Sequence, residues 1–213
     1  MNNNFNSENL GKIFDFLHKV GKLKLTFRFS EVKNMPKDLK DSSAAHSWRL
    51  VLMVFIIADE LNLDINIEHA LEIAIIHDIV EAITGDIDQV LIFDGKVSKE
   101  EKQRNEKEAM KKLKESLPLK LGNKVSNLWN EYEGSSTKEA KFVKALDKLE
   151  TLTHLIETGY KTYDRPEFIV KYADKTVKNF PELTGVLKII KKKLKAEFDK
   201  GNIPWKEEYD CLD

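Results

Sequence analysis

Apolar residues along this chain recur at intervals of three and four, and no segment shows the strict alternation of a half-buried strand. Ile13, Phe14, Phe16, Leu17 and Val20 outline a first helix over 8–20, with Gly21 as its stop. A connecting loop over 26–39, with Pro36 inside it, comes next. Asp41, Ser42 and Ser43 offer N-caps to a helix over 44–61 that is apolar nearly all round and is expected at the centre of the fold. Asn66 caps a third helix over 67–83, which Gly85 ends, and 91–97 reads as a loop turning at Asp94 and Gly95. Ser98 and Glu101 form a capping box for a long charged helix with a thin stripe of Ala109, Leu113 and Leu117, closed by Pro118. Val125, Leu128, Trp129 and Tyr132 mark a short helix. Ser136 and Glu139 repeat the capping pattern before a helix over 137–158 that stops at Gly159, and two more helices follow over 166–179 and 181–200. The pattern predicts an all-α protein, a single helical bundle of about seven to eight helices.

Composition narrows the class. A chain of 213 residues, 41% hydrophobic and 33% charged, with 9 Gly and 5 Pro, fits one helix-rich globular domain over 1–213. The formal net charge of −1 supplies no global field toward nucleic acid or an anionic membrane, so neither is expected as a partner. Lysine clusters at Lys111, Lys112 and Lys114 and at Lys191 to Lys193 read as solvated helix faces. Cys211 is the only cysteine, which excludes an intrachain disulfide and suits a reducing compartment. Residues 1–10 are polar and Asn-rich, without a signal-peptide core, and the longest apolar run, 50–58, is too short to span a bilayer. A soluble, cytoplasmic protein is expected.

Chemistry concentrates in the run Ile75-Ile76-His77-Asp78-Ile79-Val80-Glu81. On a continuous helix Glu81 lies four residues after His77 and three after Asp78, so all three share one side. Three ionisable groups among apolar neighbours are costly unless paired or bound to a cation. Two readings stand for this segment alone: a divalent metal site, or a core histidine bonded to a backbone carbonyl. Alone, His46, in the first turn of the apolar 44–61 helix, reads as a satisfied core histidine, and Asp147, in the capped 137–158 helix, as a surface aspartate paired with Lys144 or Lys148. Taken together they give the order His…His-Asp…Asp, with ligands from three helices.

With that order the chain resembles the HD-domain metal-dependent phosphohydrolases, in particular their 5′-deoxynucleotidase-like branch. Four stretches carry the resemblance: Phe16 to Lys24 (FLHKVGKLK), Ala45 to Trp48 (AHSW), His77 to Asp86 (HDIVEAITGD), and Glu131-Tyr132-Glu133 continuing through Lys148-Leu149-Glu150. The resemblance covers about 14–158, an HD core, and the C-terminal helices of 159–213 match only as generic helices. It implies that His46, His77, Asp78 and Asp147 bind one divalent metal ion, that Glu81 works on the nucleophilic water, that Arg28 binds phosphate, and that Asp86 occupies an acidic catalytic position. It also implies a homodimer. Phe29 stands where the family often has tryptophan, and Ala45 where it usually has an acidic residue. Phe29 can pack on sugar or base.

Two imidazoles and two carboxylates suit Mn²⁺, Fe²⁺, Co²⁺, Ni²⁺ or Zn²⁺ without distinguishing among them. The expected reaction is hydrolysis of deoxynucleoside 5′-monophosphates, small-molecule nucleotide substrates, to deoxynucleoside and phosphate. Two alternatives accompany it: an HD-type hydrolase of a cyclic nucleotide or polyphosphate, and a non-catalytic metal-binding interaction module. His69 and His154 lie off the motif and make no second histidine cluster for a binuclear centre.

Overall fold

The computed structural model describes residues 6–210, and its regular structure is helical, apart from one isolated antiparallel bridge between Phe27 and Ser42. α1 (Ser7–Val20) leads through a 3-10 turn (Gly21–Leu25) to the bridged loop and α2 (Ser43–Glu60). α3 (Ile67–Ile76), α4 (Glu81–Thr84) and α5 (Gln89–Phe93) are short, and α6 (Lys99–Glu115), α7 (Leu119–Gly134) and α8 (Lys138–Thr158) are long. α9 (Pro166–Lys171), α10 (Asp174–Lys178) and α11 (Thr184–Lys200) complete the order. No helix among the described residues is long and apolar enough to cross a membrane.

Side-chain caps set most of the starts. Ser42 Oγ accepts from Ala45 N at 3.2 Å, Asn66 Oδ1 from His69 N at 3.1 Å, and Ser98 Oγ from Glu101 N at 3.0 Å. The start of α8 departs from the sequence pattern. Ser135 is left-handed (φ 47°) and closes α7, so the cap moves one residue on to Thr137, whose Oγ1 accepts from Ala140 N at 3.1 Å. Glu139 does not close a capping box and instead accepts from Asn66 N at 2.8 Å. The expected loop over 91–97 begins inside α5, because the Asp88 carboxylate caps Val90 N at 3.0 Å and Gly95 (φ 70°) ends the turn.

The central helix is α8, not α2. Phe142, Leu146, Leu149 and Leu152 are fully buried between α2 and α3 on one side and α10 and α11 on the other. Each such side chain contributes about 1.5–3 kcal/mol of transfer free energy. Of its apolar residues α2 fully buries the stripe Leu50, Val54 and Ala58, in line with His46, and turns Trp48, Leu52, Phe55 and Ile56 outward, with Trp48 68% exposed. A second, smaller core joins Phe16, Ile79 and Val80 to Met110 and Leu113 of α6 and Trp129 of α7. At Gly122 of α7 a Cβ would lie 2.4 Å from the Lys114 carbonyl oxygen, so only glycine permits this approach of α7 to α6. Lys191 is not on a solvated face: it is buried, and its ammonium bonds the Asp174 carboxylate at 2.9 Å and the Tyr209 carbonyl at 2.8 Å. His77 and Asp78 fall where the chain leaves the large core, at Ala74, and enters the small one, at Ile79.

Candidate metal and phosphate site

The helix expected over 67–83 breaks at these two residues. Ile79 N bonds Ile76 O at 3.2 Å, Glu81 N bonds Asp78 O at 3.0 Å, and Ala82 N bonds Ile79 O at 3.3 Å, so the chain tightens to a three-residue period. The shared helical side expected for His77, Asp78 and Glu81 is therefore built differently, with Glu81 one tight turn above Asp78. Glu81 is buried and accepts a 2.6 Å hydrogen bond from Ser43 Oγ at the start of α2. Ser43 thus serves the site, and its neighbour Ser42 caps the helix.

His46 from α2, His77 and Asp78 from the end of α3, and Asp147 from α8 converge. His46 Nε2 lies 3.2 Å from His77 Nε2, 3.2 Å from Asp147 Oδ1 and 3.6 Å from Asp78 Oδ2, and His77 Nε2 lies 3.0 Å from the same Asp78 oxygen. Ligands held roughly 2.1 Å from one small divalent ion are spaced about 3.0–3.4 Å from each other. Three of the four spacings lie within that range and the fourth, 3.6 Å, just beyond it; His46, His77 and Asp78 form the tight group, Asp147 joins it through His46, and the chemistry of the set, two imidazoles and two carboxylates, fits a transition-metal ion.

The outer hydrogen bonds leave the inner atoms available. His77 Nδ1–H donates to Ala74 O at 2.8 Å, and His46 Nδ1–H donates to the Glu150 carboxylate, so each Nε2 faces the cluster, where a cation can take the place of a proton. Asp147 turns Oδ1 inward, and its Oδ2 accepts from Tyr132 OH at 2.7 Å and pairs with Lys148 Nζ at 3.0 Å. Burial works to raise the Asp147 pKa, yet Lys148 and His46 hold it well below the usual carboxylate range. Burial and Arg28 work to lower His46, and the Asp147 and Glu150 carboxylates overcome both and raise it to about 9. The cluster calls for positive charge. Burial, with Asp78 and Asp86 nearby, pushes the Glu81 carboxyl well up.

Arg28 is placed by the Phe27–Ser42 bridge, with its own N–H on Asp41 O at 3.0 Å. Its guanidinium donates to Asp41 (3.1 Å) and Glu150 (3.2 Å) through Nη1 and to Thr151 Oγ1 (2.9 Å) through Nη2. Phe29 is fixed. Its ring stacks on His154 at 5.1 Å and 15°, and the Arg28 guanidinium carbon lies 5.1 Å from its centroid. Its backbone is left-handed (φ 58°), a strained state for a bulky residue that these surroundings over-determine.

Two cavities meet at Arg28, Asp86, Gln89 and Tyr172. One, about 320 Å³, is walled by Phe29, Val32, Leu155 and Ile169. The other, about 420 Å³, contains the His77, Asp78, Glu81 and Asp147 side chains and is roofed by α6. The structure thus brings together every site residue named from sequence. It adds Glu150, Tyr132, Ser43 and Thr151, none of which sequence reasoning places at the site; from sequence, Ser43 reads as an N-cap. Glu150 and Thr151 sit three and four residues after Asp147 on the apolar α8, a spacing that could have flagged them. His69 is engaged elsewhere, with Glu131 at 2.8 Å.

The HD domain family matches residues 20–184 of this chain. The chain belongs to the HD domain family. It is 33% identical over 187 residues to 5'-deoxynucleotidase HDDC2 of Homo sapiens, covering 86% of each chain. It is 38% identical over 149 residues to 5'-deoxynucleotidase hdd1 of Schizosaccharomyces pombe, covering 68% of this chain and 71% of that relative. A crystal structure from Magnetospirillum magnetotacticum, described as a predicted metal-dependent phosphohydrolase, superposes with a TM-score of 0.71 at 26% identity, over 92% of this chain and 99% of that one. Membership in the family, with these relatives, makes this HD protein a metal-dependent phosphohydrolase.

Proposed function

We propose that this HD protein hydrolyses 5′-deoxynucleoside monophosphates to deoxynucleoside and inorganic phosphate. The observation that carries the reading is the His46, His77, Asp78 and Asp147 cluster opening on a cavity that joins a second, more apolar one at Arg28 and Asp86. The four residues would hold one divalent ion. Such an ion supplies Lewis acidity, polarising a phosphate oxygen and lowering the pKa of water. Glu81 takes the proton of the attacking water: burial and the Asp78 and Asp86 charges raise its affinity for a proton, and Ser43 engages only its Oε2. Arg28 has five N–H donors, and its three hydrogen bonds leave Nε–H and one Nη2–H to receive a phosphate oxygen. Asp86 stands at the junction of the cavities with its pKa raised by burial, which suits protonation of the leaving 5′-oxygen.

The nucleoside would occupy the 320 Å³ cavity, with Phe29 as its fixed apolar wall. A 2′-hydroxyl against that wall loses water without gaining a hydrogen bond. An apolar contact of this kind discriminates by at most about 10²-fold. The test is kcat/KM for deoxy and ribo monophosphates of one base, side by side with the triphosphate and the cyclic nucleotide. A deoxy preference of about 10- to 100-fold is expected. Equal values remove the deoxy reading, and activity confined to triphosphates or cyclic nucleotides rejects the monoesterase. The outward apolar stripe Trp48, Leu52, Phe55 and Ile56 of α2 is the surface assigned to a homodimer in the same proposal.

A further inference from the structure

Sequence reading makes α6 a solvated helix with a thin apolar stripe. The structure divides it into two halves. The C-terminal half buries Ala109, Met110 and Leu113 in the small core. The N-terminal half turns Lys99, Lys102, Gln103 and Glu106 into the cavity that holds His77, Asp78, Glu81 and Asp147. These positions are spaced i, i+3, i+4 and i+7, one continuous helical face. A polar helix face roofing an ionic cavity needs a reason, and the cationic groups in that cavity differ in how far they are already engaged.

Lys148 is engaged by Asp147 at 3.0 Å and by Tyr172 OH at 3.1 Å. Lys144 bonds the Tyr132 and Glu133 carbonyls at 3.1 and 3.0 Å, closing the end of α7. Lys99 is exposed at the edge. Lys102 is different: its side chain is only 17% exposed, and its ion pair with Glu106 is long, at 3.5 Å. Burial and the Lys148 ammonium work to lower its pKa, but Glu106, with Glu81 and Asp86, raises it, so the ammonium is charged. It is a desolvated cation with donor capacity to spare, in the cavity of the proposed reaction. It lies on the wall away from the Phe29 cavity, which it does not line.

We propose that Lys102 is a phosphate ligand of this site, reaching the phosphoryl group from the side opposite the nucleoside and opposite Arg28. The proposal rests on the phosphohydrolase reading above. A phosphate dianion meeting Arg28 alone would have only two free N–H groups on that side chain. An ammonium across the cavity supplies the complementary charge, and it sits on the face from which water attacks in line, where the equatorial oxygens gain exposure.

The test is calorimetric titration of inorganic phosphate into the full chain loaded with one divalent ion, comparing wild type with Lys102→Met, Lys102→Arg and Glu106→Gln. Loss of a charge-assisted hydrogen bond predicts phosphate affinity about tenfold or more weaker in Lys102→Met. Lys102→Arg should stay within about threefold of wild type, and Glu106→Gln should bind no more weakly than wild type. Unchanged affinity in Lys102→Met overturns the proposal. So does a tenfold loss in Glu106→Gln, which would mean that Lys102 acts only as the partner of Glu106. If Lys102→Met does not fold, Lys102→Arg and Glu106→Gln decide alone, and loss of affinity in either overturns it. A wild type that binds phosphate but cleaves no nucleotide separates failure of the substrate reading from failure of this one.

Discussion

Glu150→Gln probes how the cluster is held without touching any of its inner atoms. Glu150 has no exposed surface. Its Oε2 receives His46 Nδ1–H and, at 3.2 Å, Arg28 Nη1, and its Oε1 receives Arg49 Nε at 2.6 Å. A glutamine offers one acceptor where the carboxylate offers two, so its NH₂ must face at least one of these donors, and the buried Arg28 keeps Asp41 as its direct ion pair, with Asp78, Asp147 and Asp86 further contributing. Breaking a buried charge network in this way costs about 3–5 kcal/mol. For a domain of this size that is a fall in Tm of roughly 6–20 °C for the metal-stripped protein. The second effect is on the ion. Without the carboxylate, His46 is a weaker and less well oriented ligand, and loss of such an outer partner typically lowers metal affinity 10- to 100-fold. Thermal melts of chelator-stripped protein isolate the first effect, and the rise in Tm on adding a divalent ion isolates the second. Full metal affinity in Glu150→Gln would refute the reasoning, even if the fold were destabilised as calculated.

Tyr132→Phe removes the 2.7 Å hydrogen bond to Asp147 Oδ2 and should weaken metal binding about tenfold with little change in the metal-free Tm, as read by competitive chelator titration. Glu81→Gln should keep one ion per chain by elemental analysis and lose about 10²-fold in kcat, and near-normal turnover would make Glu81 structural. Gly122→Ala drives a Cβ to 2.4 Å from the Lys114 carbonyl and should cost about 1–3 kcal/mol in urea unfolding, with the metal site unaffected. Trp48→Glu, on the outward side of α2, should give monomers in analytical ultracentrifugation, and an unchanged dimer would move the interface elsewhere.

The helices and their caps were readable where local chemistry decides them: Ser42, Asn66 and Ser98 cap the helices they precede. What was hidden depended on tertiary contacts. The tightening at His77 to Val80 goes with His77 Nδ1–H taking the Ala74 carbonyl three residues back, and with Ile79 and Val80 turning into a different core than Ala74, which is a tertiary contact. The apolar composition of α2 pointed to a central helix, but the same composition also fits a helix with one buried and one outward apolar face. The site residues were readable because the order His…His-Asp…Asp, with the run from His77 to Asp86, resembles the HD-domain phosphohydrolases; His46 and Asp147 read singly pointed to no site. The cavity face of α6 was not, since lysine, glutamine and glutamate at helical spacing look the same whether they face water or a phosphate.

The most direct test of the whole account is phosphate release from a 5′-deoxynucleoside monophosphate by chelator-stripped protein, with divalent ions added back to wild type and to His77→Ala in parallel. The account predicts no release from either stripped protein, recovery in wild type at about one bound ion per chain, and neither ion nor activity in His77→Ala. Release by the stripped wild type, or an equal ion content and turnover in His77→Ala, would contradict it.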